Sequence, residues 1–384
     1  MGSSKQHIVV SAVNLRKGGT LTVLCDCLSY LSTRDDIVTT ALVHDRSLCD
    51  YPRIEYIEIP WSIKGWGRRL WCEYVTMNGI SKKMDHIPDL WFSLHDTTPR
   101  VRAKSQAVYC HTSFPFLKRR WRDFRMDKKI PLFSMFTKFA YKWFSKRNDY
   151  LVVQQEWFRN GLSDLIHFPK DRIIVSPPSF KPLDIPCVSI GNSGKGRKDY
   201  VVERGNRKLF FYPSTPDCHK NFELVCEAVY VLEKKYGPDC FRVVFTFDGT
   251  ENKYASWLIN TWGGLNSIDW HGYMSKEDLV QHYADADCLV FTSRIETWGL
   301  PISEFKVTDK PMILSDLPYA HETASGFGSV AFCGVDDSDA LATMIEEVIT
   351  GKMDSFEKVP VVSHASPYAR SWEELFGILL GANT

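Results

Sequence analysis

Short apolar runs alternate with helix-like stretches along nearly the whole chain, and this alternation restricts the fold more than any other feature. HIVVSAV (7–13) leads to the pair Gly18-Gly19, and TLTVLCDCLSYL (20–31) follows with helical character. IVTTALVH (37–44), IEYIEIP (54–60), DLWFSLHD (89–96), QAVYCHTS (106–113) and DYLVVQQ (149–155) read as further strands. Strands separated by helices are parallel βαβ units. Proline-rich SPPSFKPLDIP (176–186) and glycine-rich, basic GNSGKGRKD (191–199) then interrupt the pattern. It restarts with KLFFYPS (208–214) and a helix over 221–235, whose Phe222, Val225, Val229 and Leu232 share one face before Gly237-Pro238 stops it. FRVVFTFDG (241–249), CLVFTS (288–293) and PMILSD (311–316) continue the series. A chain of 384 residues exceeds one ordinary core. The expectation is α/β architecture: two doubly wound, Rossmann-like domains over 1–185 and 200–365.

The totals exclude some classes. A net charge of +1 gives the whole chain no general attraction for nucleic acid. Eleven cysteines, an odd number with no C-x-x-C, argue against a disulfide or zinc framework and for a reducing compartment. The start, MGSSKQHIVVSAV, lacks a signal-peptide core, and Gln6 breaks the myristoylation pattern. No run of 18 apolar residues provides a membrane span. Cytoplasmic location is the expectation.

In open α/β sheets, ligands bind beyond the carboxyl ends of the strands. Four groups of unusual residues follow strands here. Gly18 and Gly19 let backbone amides approach a phosphate, or form a plain turn. His95 and His111 each end a buried strand and suit either proton transfer or a core hydrogen bond. Lys220 precedes the helix that Asn221 opens, where a cation and helix-end amides make a phosphate clamp; the plainer alternative is a surface lysine. The fourth is SRIETWGLPISEF (293–305). Gly299 permits close backbone approach and Pro301 suits a first helical turn. Glu296 is expected in the loop and Glu304 one turn into the helix, on the same side. Carboxylates accept from sugar hydroxyls, and the amides near Gly299 and Leu300 suit an anion. The layout fits a nucleotide diphosphate joined to a sugar.

These residues resemble the retaining glycosyltransferases of the GT-B fold, family 4 in particular, whose pattern S-x-x-E-x-F-G-x-P-x-x-E is matched from Ser293 to Glu304 with Trp298 in place of Phe. Lys220-Asn221, Gly18-Gly19, His111 and WHGYMSKEDLVQHYADADCLVFTS (270–293) are similar to other family elements. The resemblance implies that Glu304 binds the nucleotide ribose, that Glu296 faces the donor sugar and that Lys220 meets the diphosphate. Gly18, Gly19, Gly299 and Leu300 would cradle phosphate and sugar, with Trp298 beside them. Gly272 and Tyr273 would meet the base, and His111 would act near sugar and acceptor. It also implies domains facing across a cleft, a C-terminal helix (366–384) crossing back to the first domain, and no metal or other cofactor. The donor would be a UDP- or GDP-sugar, and the acceptor a saccharide or lipid-linked saccharide. The family's second diphosphate arginine is missing from YPSTPD (212–217), so Arg294 or Arg16 would replace it. That departure motivates a rival reading: a non-catalytic relative that assists another transferase. The D-x-D of DADC (285–288) falls at a helix-to-strand junction and does not read as a metal motif.

Residues 118–147 carry 11 Lys/Arg against 2 Asp, with eight aromatics interleaved. Such a segment suits an anionic membrane surface on the inner face, or a helix with a solvated basic side. Single-stranded nucleic acid is the weaker alternative.

Overall fold

The computed structural model describes residues 5–127, 129–179 and 207–381. Most of the proline- and glycine-rich interruption, 180–206, lies outside the described residues. The first strands are β1 (Gln6–Ser11), β2 (Ile37–Val43), β3 (Ile54–Glu58), β4 (Leu90–Ser93), β5 (Ser105–Tyr109), β6 (Tyr150–Val153) and β7 (Ile173–Val175). After the gap come β8 (Lys208–Tyr212), β9 (Phe241–Phe245), β10 (Ile268–Trp270), β11 (Cys288–Phe291), β12 (Met312–Ser315) and β13 (Val330–Cys333). Helices before the gap are α1 (Gly18–Thr33), α2 (Trp66–Trp71), α3 (Met77–Lys83), α4 (Trp121–Met126), α5 (Lys129–Lys142) and α6 (Glu156–Ile166). After it come α7 (Phe222–Tyr236), α8 (Lys253–Trp262), α9 (Lys276–Asp285), α10 (Leu300–Lys306), α11 (Pro318–Thr323), α12 (Ser338–Thr350) and α13 (Trp372–Leu379).

Two compact units result. One comprises Met1–Phe116, Leu132–Ser179 and Ser363–Thr384; the other comprises Leu117–Pro131 and Phe180–Val362. The first holds a parallel sheet of order β3-β2-β1-β4-β5-β6-β7, the second a parallel sheet of order β10-β9-β8-β11-β12-β13. Strands covered on both faces must be apolar throughout. That is why β4 and β11 are buried along their whole length.

In each sheet the chain builds outward from its first strand, then starts again on that strand's other side. Val10 of β1 pairs with both Ala41 and Phe92, and Phe210 of β8 with both Val243 and Cys288. The reversal points are therefore β1/β4 and β8/β11. Loops leaving the two strands part there and open a crevice. Gly18 follows β1, His95 follows β4, Lys220 follows β8 and Glu296 follows β11.

Helix α13 completes the first unit's core. Phe376 packs edge-on against Phe92 at 5.7 Å and stacks with Tyr30 of α1 at 5.8 Å. Leu375, Phe376 and Leu379 are all buried. Each such side chain contributes about 1.5–3 kcal/mol.

Candidate active site

The second unit's crevice is built on an aromatic cluster. Phe222, the first residue of α7, packs on Tyr212 at 4.3 Å and on Phe245 and Phe247 at 5.0 and 4.8 Å. This fixes where α7 begins, and with it the residues just before. Asn221 takes the left-handed region at φ 62°, which Asn tolerates better than most residues. It is fully buried; its Nδ2 donates to the Val335 carbonyl at 2.9 Å, and its Oδ1 accepts from Arg120 at 2.7 Å. The Tyr212 hydroxyl donates to the Lys220 carbonyl at 2.5 Å. Lys220 thus has a backbone held from below.

The loop after β11 is tied to the same place. The Arg294 amide donates to the His219 carbonyl at 2.7 Å, and the Ser293 carbonyl accepts from Ser315 and Tyr319, each at 2.8 Å. These bonds bring Glu296 to Lys220, and Nζ lies 2.5 Å from Oε1. Both side chains are mostly shielded, at 13% and 16% exposure. The ammonium also lies 5.5 Å from the centre of the Phe291 ring. An ion pair in this setting is a charge-assisted hydrogen bond in reduced dielectric.

Gly299 stands at φ 88°, where a side chain is strained, and a Cβ there would meet Ile302 Cδ1 at 3.2 Å. It turns the chain into α10. Trp298 donates from Nε1 to the Ser303 hydroxyl at 2.8 Å, and its carbonyl accepts from Thr323. Glu304, half-buried on α10, accepts from the Tyr283 hydroxyl at 2.6 Å. Burial pushes its carboxyl up from the ordinary value, against the opposing pull of the Tyr283 hydrogen bond and Lys276. Gly272 is also left-handed, at φ 87°, and a Cβ there would face Asp248 Oδ2 at 3.5 Å; its neighbour Tyr273 is 93% exposed.

Arg294 is turned inward. Its guanidinium bonds Asp123 at 2.5 Å and the Cys218 carbonyl at 3.1 Å, and its side chain is 4% exposed. It clamps α4 onto the turn before Lys220. Arg120, which sequence reasoning did not single out, does similar work through Asn221, the Val335 carbonyl and Asp336.

The first unit holds the remaining residues. Gly18, at φ 65°, and Gly19 open α1 and are exposed, as is Arg16. His111 stacks on Tyr109 at 4.5 Å, and its buried Nε2 has no hydrogen-bond partner among the described residues. Burial lowers its pKa, with Asp96 acting against the shift, so the ring is neutral at neutral pH. Asp96 is the hub of this corner. Its carboxylate accepts from the His111 amide at 2.5 Å, from the Thr112 amide at 3.0 Å and hydroxyl at 2.8 Å, and from the Tyr141 hydroxyl at 3.0 Å. His95 is core: its ring meets Ser11 at 3.0 Å and Thr97 at 2.9 Å, beside buried Glu73. Glu73 in turn accepts from Arg69 at 2.8 Å. Neither Tyr283 nor Asp96 carries a local sequence signal for its role, since each acts on a partner 15 or more residues away.

Residues 198–365 match the sequence model of the family described as glycosyl transferases group 1. No curated protein matches the chain. Among solved structures, Anabaena Alr3699/HepE in complex with UDP and glucose aligns over 91% of this chain and 92% of its own, with TM-score 0.61 and 14% identity. Sucrose-phosphate synthase from Thermosynechococcus elongatus aligns over 98% and 94%, with TM-score 0.61 and 12% identity. A glycosyltransferase from Rickettsia africae ESF-5 aligns over 92% and 91%, with TM-score 0.61 and 16% identity. At such identities the likeness is one of fold: two Rossmann-like parallel-sheet domains of the GT-B type.

Proposed function

We propose that this chain is a retaining, metal-independent glycosyltransferase. It moves a hexose-type sugar from a UDP- or GDP-sugar to a saccharide or lipid-linked saccharide in surface polysaccharide or glycan synthesis. Its place is the cytoplasm, peripheral on the inner membrane face. The observation that carries the reading is the Lys220–Glu296 pair at the reversal point of the second sheet, with Glu304 half-buried on the helix that follows. The group 1 match spans all of these residues, and the complex with UDP and glucose makes UDP the first nucleotide to try.

In this reading Glu304 accepts from the ribose hydroxyls. Lys220 leaves Glu296 for the diphosphate, and Glu296 turns to the hydroxyls of the donor sugar. The bond from the anomeric carbon to the diphosphate oxygen breaks as a bond to the acceptor oxygen forms, and the nucleoside diphosphate leaves, so stabilising its charge is the main catalytic task. Lys220 and the amides of Gly299 and Leu300 supply that stabilisation. We assign Gly272 and Tyr273 to the base and Trp298 to the wall of the sugar site. In the first unit, Gly18, Gly19 and Arg16 are assigned to phosphate and His111 to the acceptor reaction. A neutral imidazole there is ready to accept a hydrogen bond or a proton.

The test is a thermal-shift panel of UDP, GDP, ADP, CMP and dTDP, followed by acceptor-dependent turnover. A ligand at about 100 times its Kd adds about 2.7 kcal/mol, which moves the melting point measurably. One diphosphate standing out supports the reading, and a flat panel removes it. The inward commitment of Arg294 to Asp123 favours the second reading, a non-catalytic partner of another transferase. Turnover with any nucleotide sugar, unaffected by EDTA, eliminates that alternative.

A further inference from the structure

Helix α5 is amphipathic in the sense opposite to that of an ordinary surface helix. Its buried residues include Ser134, Thr137 and Tyr141, while Leu132, Met135, Phe136 and Phe139, together with Trp143 just past its end, are exposed. A helix resting on a core in water puts its apolar stripe inside. Here the apolar stripe recurs every three or four residues and faces out.

A second element joins the same face. Trp66, Leu70 and Trp71 of α2 and Val75 of the π-helical stretch after it are also exposed. Trp66 meets Phe133 at 5.5 Å, and Tyr74 stacks on Trp143 at 5.7 Å, so the two elements are continuous. Trp66, Trp71, Phe136, Phe139 and Trp143 are each 55–62% exposed. Contiguous exposed aromatic surface on this scale marks an interaction site.

The charge around it is of one sign. Residues 132–147 contain no acid, and 66–75 contain only Glu73, which is fully buried on Arg69. Arg68, Lys138, Lys142 and Lys146 are exposed, and among the described residues no carboxylate pairs with them. A second copy of this face would set like charges against each other. Aromatic side chains standing out from helices, ringed by Lys and Arg, suit the headgroup layer of an anionic bilayer.

We propose that the outward face of α2, the π-helical stretch and α5 is a docking surface for anionic lipid, lying in the interface without crossing it. This deepens the peripheral location proposed above and does not depend on glycosyl transfer. It also narrows the segment 118–147. The stretch Leu117–Pro131 groups with the second unit, where Arg120 and Arg122 are paired with Glu223. The lipid face is supplied instead by residues 66–75 and 132–146.

The experiment is sedimentation of the full chain with phosphatidylcholine vesicles, with and without about 30% phosphatidylglycerol. Binding to the anionic vesicles alone, with a blue shift of tryptophan emission, is expected. Phe136→Glu/Phe139→Glu should weaken partitioning at least about tenfold, and Lys138→Glu/Lys142→Glu roughly as much, each without loss of the nucleotide-induced thermal shift. The charge variant covers the case in which the aromatic variant fails to fold. No binding, binding that survives both variants, or a dimer in light scattering that the aromatic variant dissolves would each overturn the proposal. A failed nucleotide panel with intact vesicle binding would count against the transferase reading alone.

Discussion

Glu304 is harder to ionise than a carboxylate in water, because burial raises its pKa above the ordinary 4.5. The folded state therefore holds this proton more tightly than the unfolded chain. The stabilising contribution of the group is complete below the ordinary value and is lost as pH rises through the raised one. At neutral pH its charge opposes folding, while a ribose calls for that charge. Glu304→Gln should raise the melting temperature of the unliganded protein at pH 7, and the gain should vanish in acid. It should weaken UDP binding by roughly 10–100-fold in calorimetry, as expected for a lost hydrogen bond to a charged group. An unchanged dissociation constant would remove Glu304 from the nucleotide site. For Glu296 the expectation differs. Glu296→Ala should abolish transfer and leave UDP bound, while stranding the Lys220 ammonium should cost about 1–3 kcal/mol in denaturant unfolding. His111→Ala should lower acceptor-dependent turnover without moving the UDP affinity.

The elements that carry these residues were legible to different degrees. Parallel strands such as CLVFTS announce themselves, because burial on both faces demands a continuous apolar run between turn signals. Gly299 was readable as a point of close backbone approach, two residues before the Pro301 that opens a short helix. Its left-handed φ of 88° is a further feature that the sequence did not announce. Gly299→Ala should cost roughly 1–2 kcal/mol from the left-handed backbone alone, checked by urea unfolding. The contact of a new Cβ with Ile302 adds to that. Helix α5 was readable only in part. Its aromatics and lysines stood out in the sequence, but which face was buried depended on Tyr141 reaching Asp96 and Thr112. The π-helical stretch Cys72–Thr76, which sets Glu73 into the core, has no sequence signature at all. The Tyr283–Glu304 bond joins α9 to α10, and periodicity within either helix says nothing of it.

For the molecule, two doubly wound sheets followed from the repeated strand–helix alternation and from length. The grouping of Leu117–Pro131 with the second unit did not, because so short a segment carries too few residues to declare its core. If nucleotide binds as proposed, hydrogen exchange should slow at 16–19, 218–221 and 296–305 on adding UDP, while β2 and β3 should exchange as before. Protection spread evenly over both sheets would argue against a site at the loops that follow the strands. Helix α13 carries a different consequence, which concerns the making of the protein. The first sheet to leave the ribosome is not the first to be finished. Leu375, Phe376 and Leu379 fill the core beneath β4 and α1, and they emerge only after the whole second unit has been translated. Until then a nascent chain carries an open apolar pocket in its oldest part. Vectorial synthesis therefore completes the two units in the reverse of their order in the gene.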